Sequence, residues 1–320
     1  MRKLVQCLAA AIACLGLAAP AVAQQFPERA VKMIVPWAAG GDTDNIFRPF
    51  APLMQKHIGQ PAVIANVTGA SGTVGAREAK GAAPDGYTLF AVHDFIHLTY
   101  YAGLAEVKYT DFEPICRLAA TPSVLTASPK TPWKDFKEFM ADAKARPDQI
   151  SVGATLGSTS HIFPAIIEKA AGLKLKYVSY DGLAPRMNAI LGGHIDLTDS
   201  NLTQKGKVEA GQLKFLAIAS AERNPDMPTV PTLKELGHTI EYEVVRGLLV
   251  PKGTPEPVRA KLSEACQKAA MEPEFANSMK LQGTRVAYLN GKDYGAFLDK
   301  IDAENKDCLL YTSPSPRDRS

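Results

Sequence analysis

The hydrophobic pattern along the chain alternates between two kinds of segment. Short apolar runs of strand length are bounded by Gly, Pro or Asn, and stretches with apolar residues at helical spacing lie between them. "AVKMIVPW" (residues 30–37) reads as a buried strand, followed by a helix from about Asp44 to Ile58 that Gly59 ends. "AVIANV" (62–67) is a strand, "GTVGAREAKGA" (72–82) a helix and "YTLFAVH" (87–93) a strand. The alternation returns with "ISVGAT" (150–155), a helix from about Ser160 to Ala171, and "KYVSY" (176–180). A helix from Ala184 to Leu191 and the strands "HIDLTDS" (194–200) and "KFLAIAS" (214–220) follow.

Strands separated by helices of about ten residues predict parallel sheets covered by helices on both faces. Two such series predict an α/β chain with two lobes, each a mainly parallel sheet flanked by helices. "SVLTASPK" (Ser123–Lys130) and "RGLLVPKGT" (Arg246–Thr254) are the expected crossover strands. The helical patterns "PEPVRAKLSEACQKAAM" and "GKDYGAFLDKIDAEN" then complete the first lobe. The expected division is lobe 1 over residues 24–122, lobe 2 over 123–252, and lobe 1 again over 253–307.

The two ends change this picture. Arg2 and Lys3, an apolar run and Ala21-Val22-Ala23 have the layout of a secretory signal peptide over residues 1–23, cleaved before Gln24. A periplasmic location is the expectation. "CLLYTSPSPRDRS" (Cys308–Ser320) has no periodicity, is not expected to continue the helix before it, and looks like a transposase-adapter sequence translated in frame. Without these ends the formal charge of +3 falls to near zero, so the basic balance is no nucleic-acid footprint. Of five cysteines, Cys116 and Cys266 remain, one on a strand and one on a helix. Two free buried thiols are expected, with one long-range disulfide as the alternative that an oxidising compartment allows. The six histidines are scattered and nothing has metal-ligand spacing, so neither metal nor cofactor is expected.

Candidate chemistry falls at strand ends, where open α/β sheets bind ligands. In "VPWAAGGDTDNIFR", Trp37, Ala38 and Ala39 lead into Gly40 and Gly41, which let the backbone turn tightly, and Asp42 or Asp44 can cap the helix that follows. Free N–H groups and the helix dipole then favour an anion. No lysine follows Gly41 as a phosphate loop requires, and two aspartates repel a dianion, so a carboxylate fits better. Thr68, Gly69 and Ala70 form a second small-residue loop, and His93 and Asp94 follow a strand. From the other lobe come Gly157, Ser158, Thr159, Ser160 and His161, in which Thr159 or Ser160 can cap a helix. Asp199 and the pair Tyr180 and Asp181 complete the set. Arg246 either points into the cleft or pairs outside it with a carboxylate such as Glu243. Ser160 beside His161 is no catalytic dyad, because neighbours on a helix start diverge by about 100°. No G-x-S-x-G elbow or paired-carboxylate site is present, so an enzyme is not expected.

These segments, in this order, resemble the Bug receptors, the exported solute-binding proteins of tripartite tricarboxylate transporters common in Bordetella-like proteobacteria. "KMIVPWAAGGDTDNIFR", "NVTGASGTVGAREAKGAAPDGYTL", "GSTSHI", "YDGLAPRMNAILGGHIDL" and "RGLLVPKGTP" match family blocks, and the resemblance covers almost all of the chain between the two ends. It implies the fold of type II periplasmic binding proteins. It also implies a small carboxylated metabolite held largely by backbone N–H groups, hydroxyls and ordered water, not by an arginine clamp. The chain departs from the family at Asn66-Val67-Thr68-Gly69, where Asn-Arg-Pro-Gly is usual, and at Tyr180-Asp181-Gly182, where Tyr-Lys-Gly is usual. Arg246 stands where Phe is usual, Trp37 replaces Phe, and His93-Asp94 replaces small polar residues. These changes bear on the ligand.

The expectation is therefore a monomeric periplasmic receptor that closes two lobes around a small organic carboxylate and delivers it to a tripartite tricarboxylate permease. A receptor serving a sensor kinase is the alternative with the same site, and an exported hydrolase is a second alternative. The effector lobe of a transcription regulator is excluded by the leader and the missing helix-turn-helix.

Overall fold

A computed structural model describes residues 26–312. The expected leader and its cleavage point lie outside the described residues, as does the segment from Ser313 on. The first lobe begins with β1 (Val31–Val35), α1 (Asp42–Ile58), β2 (Ala62–Asn66), α2 (Thr73–Gly81) and β3 (Thr88–His93). A short helix, α3 (Phe95–Tyr101), follows, then the long strand β4 (Phe112–Pro122). The second lobe holds β5 (Val124–Ala127), α4 (Phe136–Ala145), β6 (Ser151–Ala154), α5 (Thr159–Ala171) and β7 (Lys176–Ser179). It continues through α6 (Leu183–Gly192), β8 (Leu197–Ser200), α7 (Lys205–Glu209) and β9 (Lys214–Ile218). The chain returns in β10 (Glu243–Pro251), α8 (Glu256–Ala270), α9 (Pro273–Leu281), β11 (Arg285–Asn290) and α10 (Gly291–Thr312).

The first sheet has the order β11-β4-β10-β3-β1-β2 and the second β7-β6-β8-β5-β9. β1 is parallel to β2 and β3, whereas β10 runs antiparallel to both β3 and β4. In the second lobe β6 is parallel to β7 and β8, and β5 is antiparallel to β8 and β9. In each lobe a reversed strand is inserted among parallel ones, and it is the strand that enters directly from the other lobe; in the first sheet the edge strand β11 is reversed as well. The burial patterns explain the sequence signal. β1 is buried at all but Lys32, and β3 at all but its first residue, so both read as continuous apolar runs with helices on both faces.

The crossings lie at Pro122–Ser123 and Tyr242–Glu243. They are tied to each other, since the Ser123 N–H donates to the Tyr242 carbonyl at 3.0 Å. This corrects the expected division at residue 252. The strand containing Arg246–Pro251 is paired on both sides inside the first sheet, so the return to lobe 1 comes before it. An apolar run cannot say which of two sheets will hydrogen-bond it.

Two further expectations change. Cys116 on β4 and Cys266 on α8 form a disulfide across 150 residues of sequence, with 6.6 Å between their Cα atoms. They are not two free thiols. The pairing exists because α8 packs back on β4, a tertiary contact that cysteine spacing does not carry. The last helix also runs on through Cys308 to Thr312, where a break was expected at Cys308. No Pro or Gly stands between Asp307 and Thr312 to stop a helix.

Candidate ligand-binding site

Three helix N-termini, one from the first lobe and two from the second, meet at a single cavity between the sheets. Its lining includes Gly41, Asp42 and Thr43 at the start of α1, Ser158–Ser160 at the start of α5, and Gly182–Arg186 at the start of α6. The first backbone N–H groups of a helix have no intrahelical acceptor. In α1 the i→i−4 ladder begins only with the Asn45 N–H donating to the Gly41 carbonyl at 2.9 Å, which leaves the N–H groups of Asp42, Thr43 and Asp44 without a backbone acceptor, while that of Gly41 is taken by the Ala38 carbonyl. Neither α1, α5 nor α6 has a side chain capping its N-terminus. The donors that Asp42, Asp44, Thr159 or Ser160 were expected to cap are therefore not satisfied by those side chains. The Ser160 hydroxyl instead accepts from the Thr155 N–H at 3.0 Å, and the Thr155 hydroxyl accepts from the Gly182 N–H at 3.0 Å.

The turn before α1 divides its work between two glycines. Gly40 has φ 76°, in the left-handed region. Gly41 has φ −76° and needs no such freedom, but a Cβ there would lie 3.1 Å from the Ala38 carbonyl oxygen.

Of the residues singled out in the sequence, Trp37, Ala38, Gly41, Asp42, His93 and Arg246 line the cavity from the first lobe. Ser158, Thr159, Ser160, Asp181 and Asp199 line it from the second. The space open to the centre of a water molecule is about 70 Å³. One water needs ~10–15 Å³ measured this way, so the cavity suits a few waters or one small metabolite.

The others are elsewhere, each for an identifiable reason. Ala39 and Gly40 are exposed in the turn. Asp44 is a brace within its lobe: its carboxylate accepts from Arg48 at 2.9 and 2.7 Å, from the Gly40 N–H at 2.9 Å and from Asn66 at 3.0 Å. Burial alone would raise its pKa, but these hydrogen bonds outweigh it and hold the carboxyl below its usual range. Thr68, Gly69 and Ala70 do not reach the cavity. Their neighbour Ser71 donates to the Leu156 carbonyl at 3.2 Å, which makes this loop a lobe–lobe contact. Gly157 belongs to a contact of the same kind, where a Cβ would come within 2.5 Å of Leu104. His161 is packed edge-on against Tyr177, and burial lowers its pKa. Tyr180 packs in the apolar cluster of Met187, Ile190 and Ile195. Asp94 turns to the backbone and accepts from the Val245 N–H at 3.0 Å; burial raises its pKa to about 7.

Two arginines dominate the electrostatics. Arg246 is 3% exposed and Arg186 5%, and both line the cavity, one from each lobe. Arg246 Nη1 donates to Thr121 Oγ1 at 2.8 Å and to the Val244 carbonyl at 3.1 Å, while Nε reaches Thr43 at 3.5 Å. Arg186 Nε donates to the Gly182 carbonyl at 3.1 Å, and its Nη1 donates to Thr198 at 3.1 Å and to the Asp199 carbonyl at 2.9 Å. Among the described residues, Nη2 of neither has a hydrogen-bond partner. Nor does any carboxylate among the described residues lie within 4.0 Å of either guanidinium. Glu243, the expected partner for an outward Arg246, pairs with Arg285 at 3.0 Å instead. The cleft-facing position of Arg246 follows from strand alternation, because Val244, two residues away, lines the same cavity.

His93 adds a neutral donor. Its Nδ1 accepts from the Phe95 N–H at 3.2 Å, which places the ring proton on Nε2. Burial, with Arg246 and Arg186 nearby, holds its pKa well below the usual value. The ring is stacked on Trp37 at 5.3 Å between centroids.

The model of the tripartite tricarboxylate transporter family receptor matches residues 46–309. The chain belongs to that receptor family. A protein encoded in the gbd 5′ region of Cupriavidus necator is 34% identical over 295 residues, which is 91% of this chain and 90% of that protein. The solved structure of the periplasmic binding protein BugD is 33% identical with a TM-score of 0.83, covering 89% of this chain and 98% of that one. The structure of MatC from Rhodopseudomonas palustris with bound malate is 30% identical with a TM-score of 0.81, covering 89% of this chain and all of that one (100%). The two-lobed periplasmic-binding-protein fold and the membership of a carboxylate-receptor family stand on these matches.

Within this receptor, sequence reasoning passed over several lining residues. Thr43 and Thr155 sit at positions the strand-end rule covers, since Thr155 is the last residue of "ISVGAT". Arg186 was the detectable one. It lies among the buried positions of α6, beside Met187, Ala189 and Ile190. An arginine on the apolar face of a helix is a signal in itself.

Proposed function

We propose that the protein is a periplasmic solute-binding receptor that captures a small organic carboxylate between its lobes. It acts as an exported monomer and delivers the ligand to a permease of the tripartite tricarboxylate type, without chemical change. The observation that carries this reading is the pair of buried guanidiniums, one from each lobe, with no carboxylate partner. A buried charge without a partner is costly in the folded protein. A ligand carboxylate accepts the free Nη2 donors, which no protein carboxylate contacts, and the helix N-termini add backbone N–H groups to the same anion. Contact with both lobes is what lets a ligand favour the closed form over the open one. The departure from the family's water-and-backbone recognition lies in these arginines.

The reading is tested by stripping the protein of ligand and titrating it with mono- and dicarboxylates of increasing length. A true ligand at ~100 times its dissociation constant adds about 2.7 kcal/mol of stability. Stabilisation by none of them, with stabilisation by uncharged sugars or by amines lacking an acid group, would refute the carboxylate.

A further inference from the structure

The cavity is not simply cationic. Asp42 and Asp199, again one from each lobe, line it together with Arg246 and Arg186. Asp199 is 6% exposed, and its Oδ1 has no hydrogen-bond partner. Oδ1 of Asp42 is buried and equally without one. The Ser123 hydroxyl stands beside Asp199 and acts against the rise in its pKa, but it carries no charge to offset the carboxylate. The charge of Asp42 is felt at Asp199, at Arg186 and at Arg246, so the four groups form one electrostatic cluster. Yet none of these pairs closes into a salt bridge. The cavity keeps guanidinium donors and carboxylate acceptors apart, and each kind is supplied by both lobes; the Trp37 indole N–H is a further buried donor without a partner.

We infer that the ligand is an amino carboxylate, with its carboxylate against Arg186 and Arg246 and its ammonium group against Asp42 and Asp199. The inference rests on the receptor reading above and narrows it. An ionised carboxylate only accepts hydrogen bonds. A plain mono- or dicarboxylate would satisfy the arginines and leave both aspartates buried without a donor, beside added negative charge. An ammonium group brings three donors and the opposite charge to that side. A hydroxyl brings one donor and no charge, so it relieves one aspartate and not the pair. The small volume fits this division, because a compact molecule must present both charges within a few bonds of each other.

The test uses matched pairs differing only by an amino group: succinate and aspartate, glutarate and glutamate, butyrate and 4-aminobutyrate. Each is titrated calorimetrically into ligand-free protein. In at least one pair the amino member binds about tenfold or more tighter, as expected for an added charge-assisted contact. In D199N and D42N, the ratio of the two affinities falls towards one. The two variants fold independently of each other's fate, and melting curves show which of them is native. If the amino-free member binds as well or better in every pair, the ammonium site is overturned and the carboxylate receptor stands. If the amino preference survives in both variants, the aspartates are not its source and the inference fails. If no carboxylate of either kind binds, the inference and the receptor reading fail together.

Discussion

The two lobes share one strand order and differ in what stands behind it. In each, the order is second, first, third, inserted and fourth strand, with β11 added at the edge of the first sheet. Lobe 1 buries one large core that runs from Val31 to Leu298 and includes both cysteines of the disulfide, with only the small cluster of Ala120, Val245 and Ala287 apart from it. Lobe 2 splits its core. One cluster lies around Trp133, Phe139 and Phe163, a second around Val124 and Met227, and a third around Met187 and Ile190. The two arginines inherit this difference. Arg246 rides on a strand paired on both sides in the larger sheet, whereas Arg186 rides on α6 over the small third cluster. A site split between a stiff half and a softer half can be preorganised on one side and adaptable on the other. The lesson is that equal topology does not imply equal rigidity; the size and continuity of the buried cluster do.

The harshest way to break this comparison is to remove the disulfide. C116A/C266A should lose about 2–5 kcal/mol, the usual cost of deleting a native bridge. The loss should appear as faster amide exchange in β4 and α8, with β6 and β8 protected as before. Equal loss of protection in both lobes would mean that they unfold as one unit and that the contrast drawn here has no energetic content.

Next come the arginines. R246M and R186M should each weaken carboxylate binding by roughly 10–100-fold, from the ~1.5–3 kcal/mol of a charge-assisted bond. Both side chains are held by hydrogen bonds within their lobes, so R246M should cost more only through its backbone, a strand paired on both sides, whereas α6 rests on a small cluster. Either variant should melt slightly below the ligand-free parent, since each arginine also makes hydrogen bonds within its lobe and attracts Asp42 and Asp199. A drop of several degrees in either variant without ligand would show that the arginine is structural.

A subtler lever is pH. Asp94, behind the cleft in lobe 1, has its pKa pushed up to about 7 by burial, against an unfolded value of ~3.9. The folded state therefore holds this proton where the unfolded state has released it. The stabilisation is complete below pH ~4 and is lost as pH rises through about 7. D94N, which keeps an acceptor for the Val245 N–H, should match the parent near pH 4. It should pull ahead as pH rises, by at most ~1.4 kcal/mol per unit. Parallel melting profiles from pH 4 to 8 would contradict the assignment. Asp199 in lobe 2, with burial raising its pKa to about 7, should behave alike in the absence of ligand. Its profile should flatten once a cationic ligand group is bound.

The smallest effect expected is at the contact between the lobes. S71A removes the hydrogen bond from Ser71 to the Leu156 carbonyl. A single exposed bond contributes ~0.5–1.5 kcal/mol at most, so affinity should fall no more than about tenfold, through faster release. No change in the release rate would show that this contact does not hold the closed form.

Much was legible in the residues alone. Periodicity decided most of the strands and helices, because apolar side chains repeat every two or every 3.6 residues whatever the partner is, but it passed over α3, α4, α7, α9 and β11. Glycines and small residues at strand ends marked the loops around the cleft, because backbone N–H groups can approach a ligand only where side chains do not intervene. Eleven of the residues singled out line one cavity; ten stand at strand ends, and the eleventh, Arg246, was marked by its departure from the family pattern.

What the tertiary structure decided is of another kind. It put β10 in the first sheet and joined Cys116 to Cys266. It turned Asp44 and Asp94 inward as braces while leaving Asp42 and Asp199 without partners. It also brought Arg186 opposite Arg246. Each of these depends on which distant groups become neighbours. Local pattern is set by the chain's own stereochemistry. Whether a carboxylate is satisfied, or an arginine left waiting for an anion, depends on what the rest of the fold places around it.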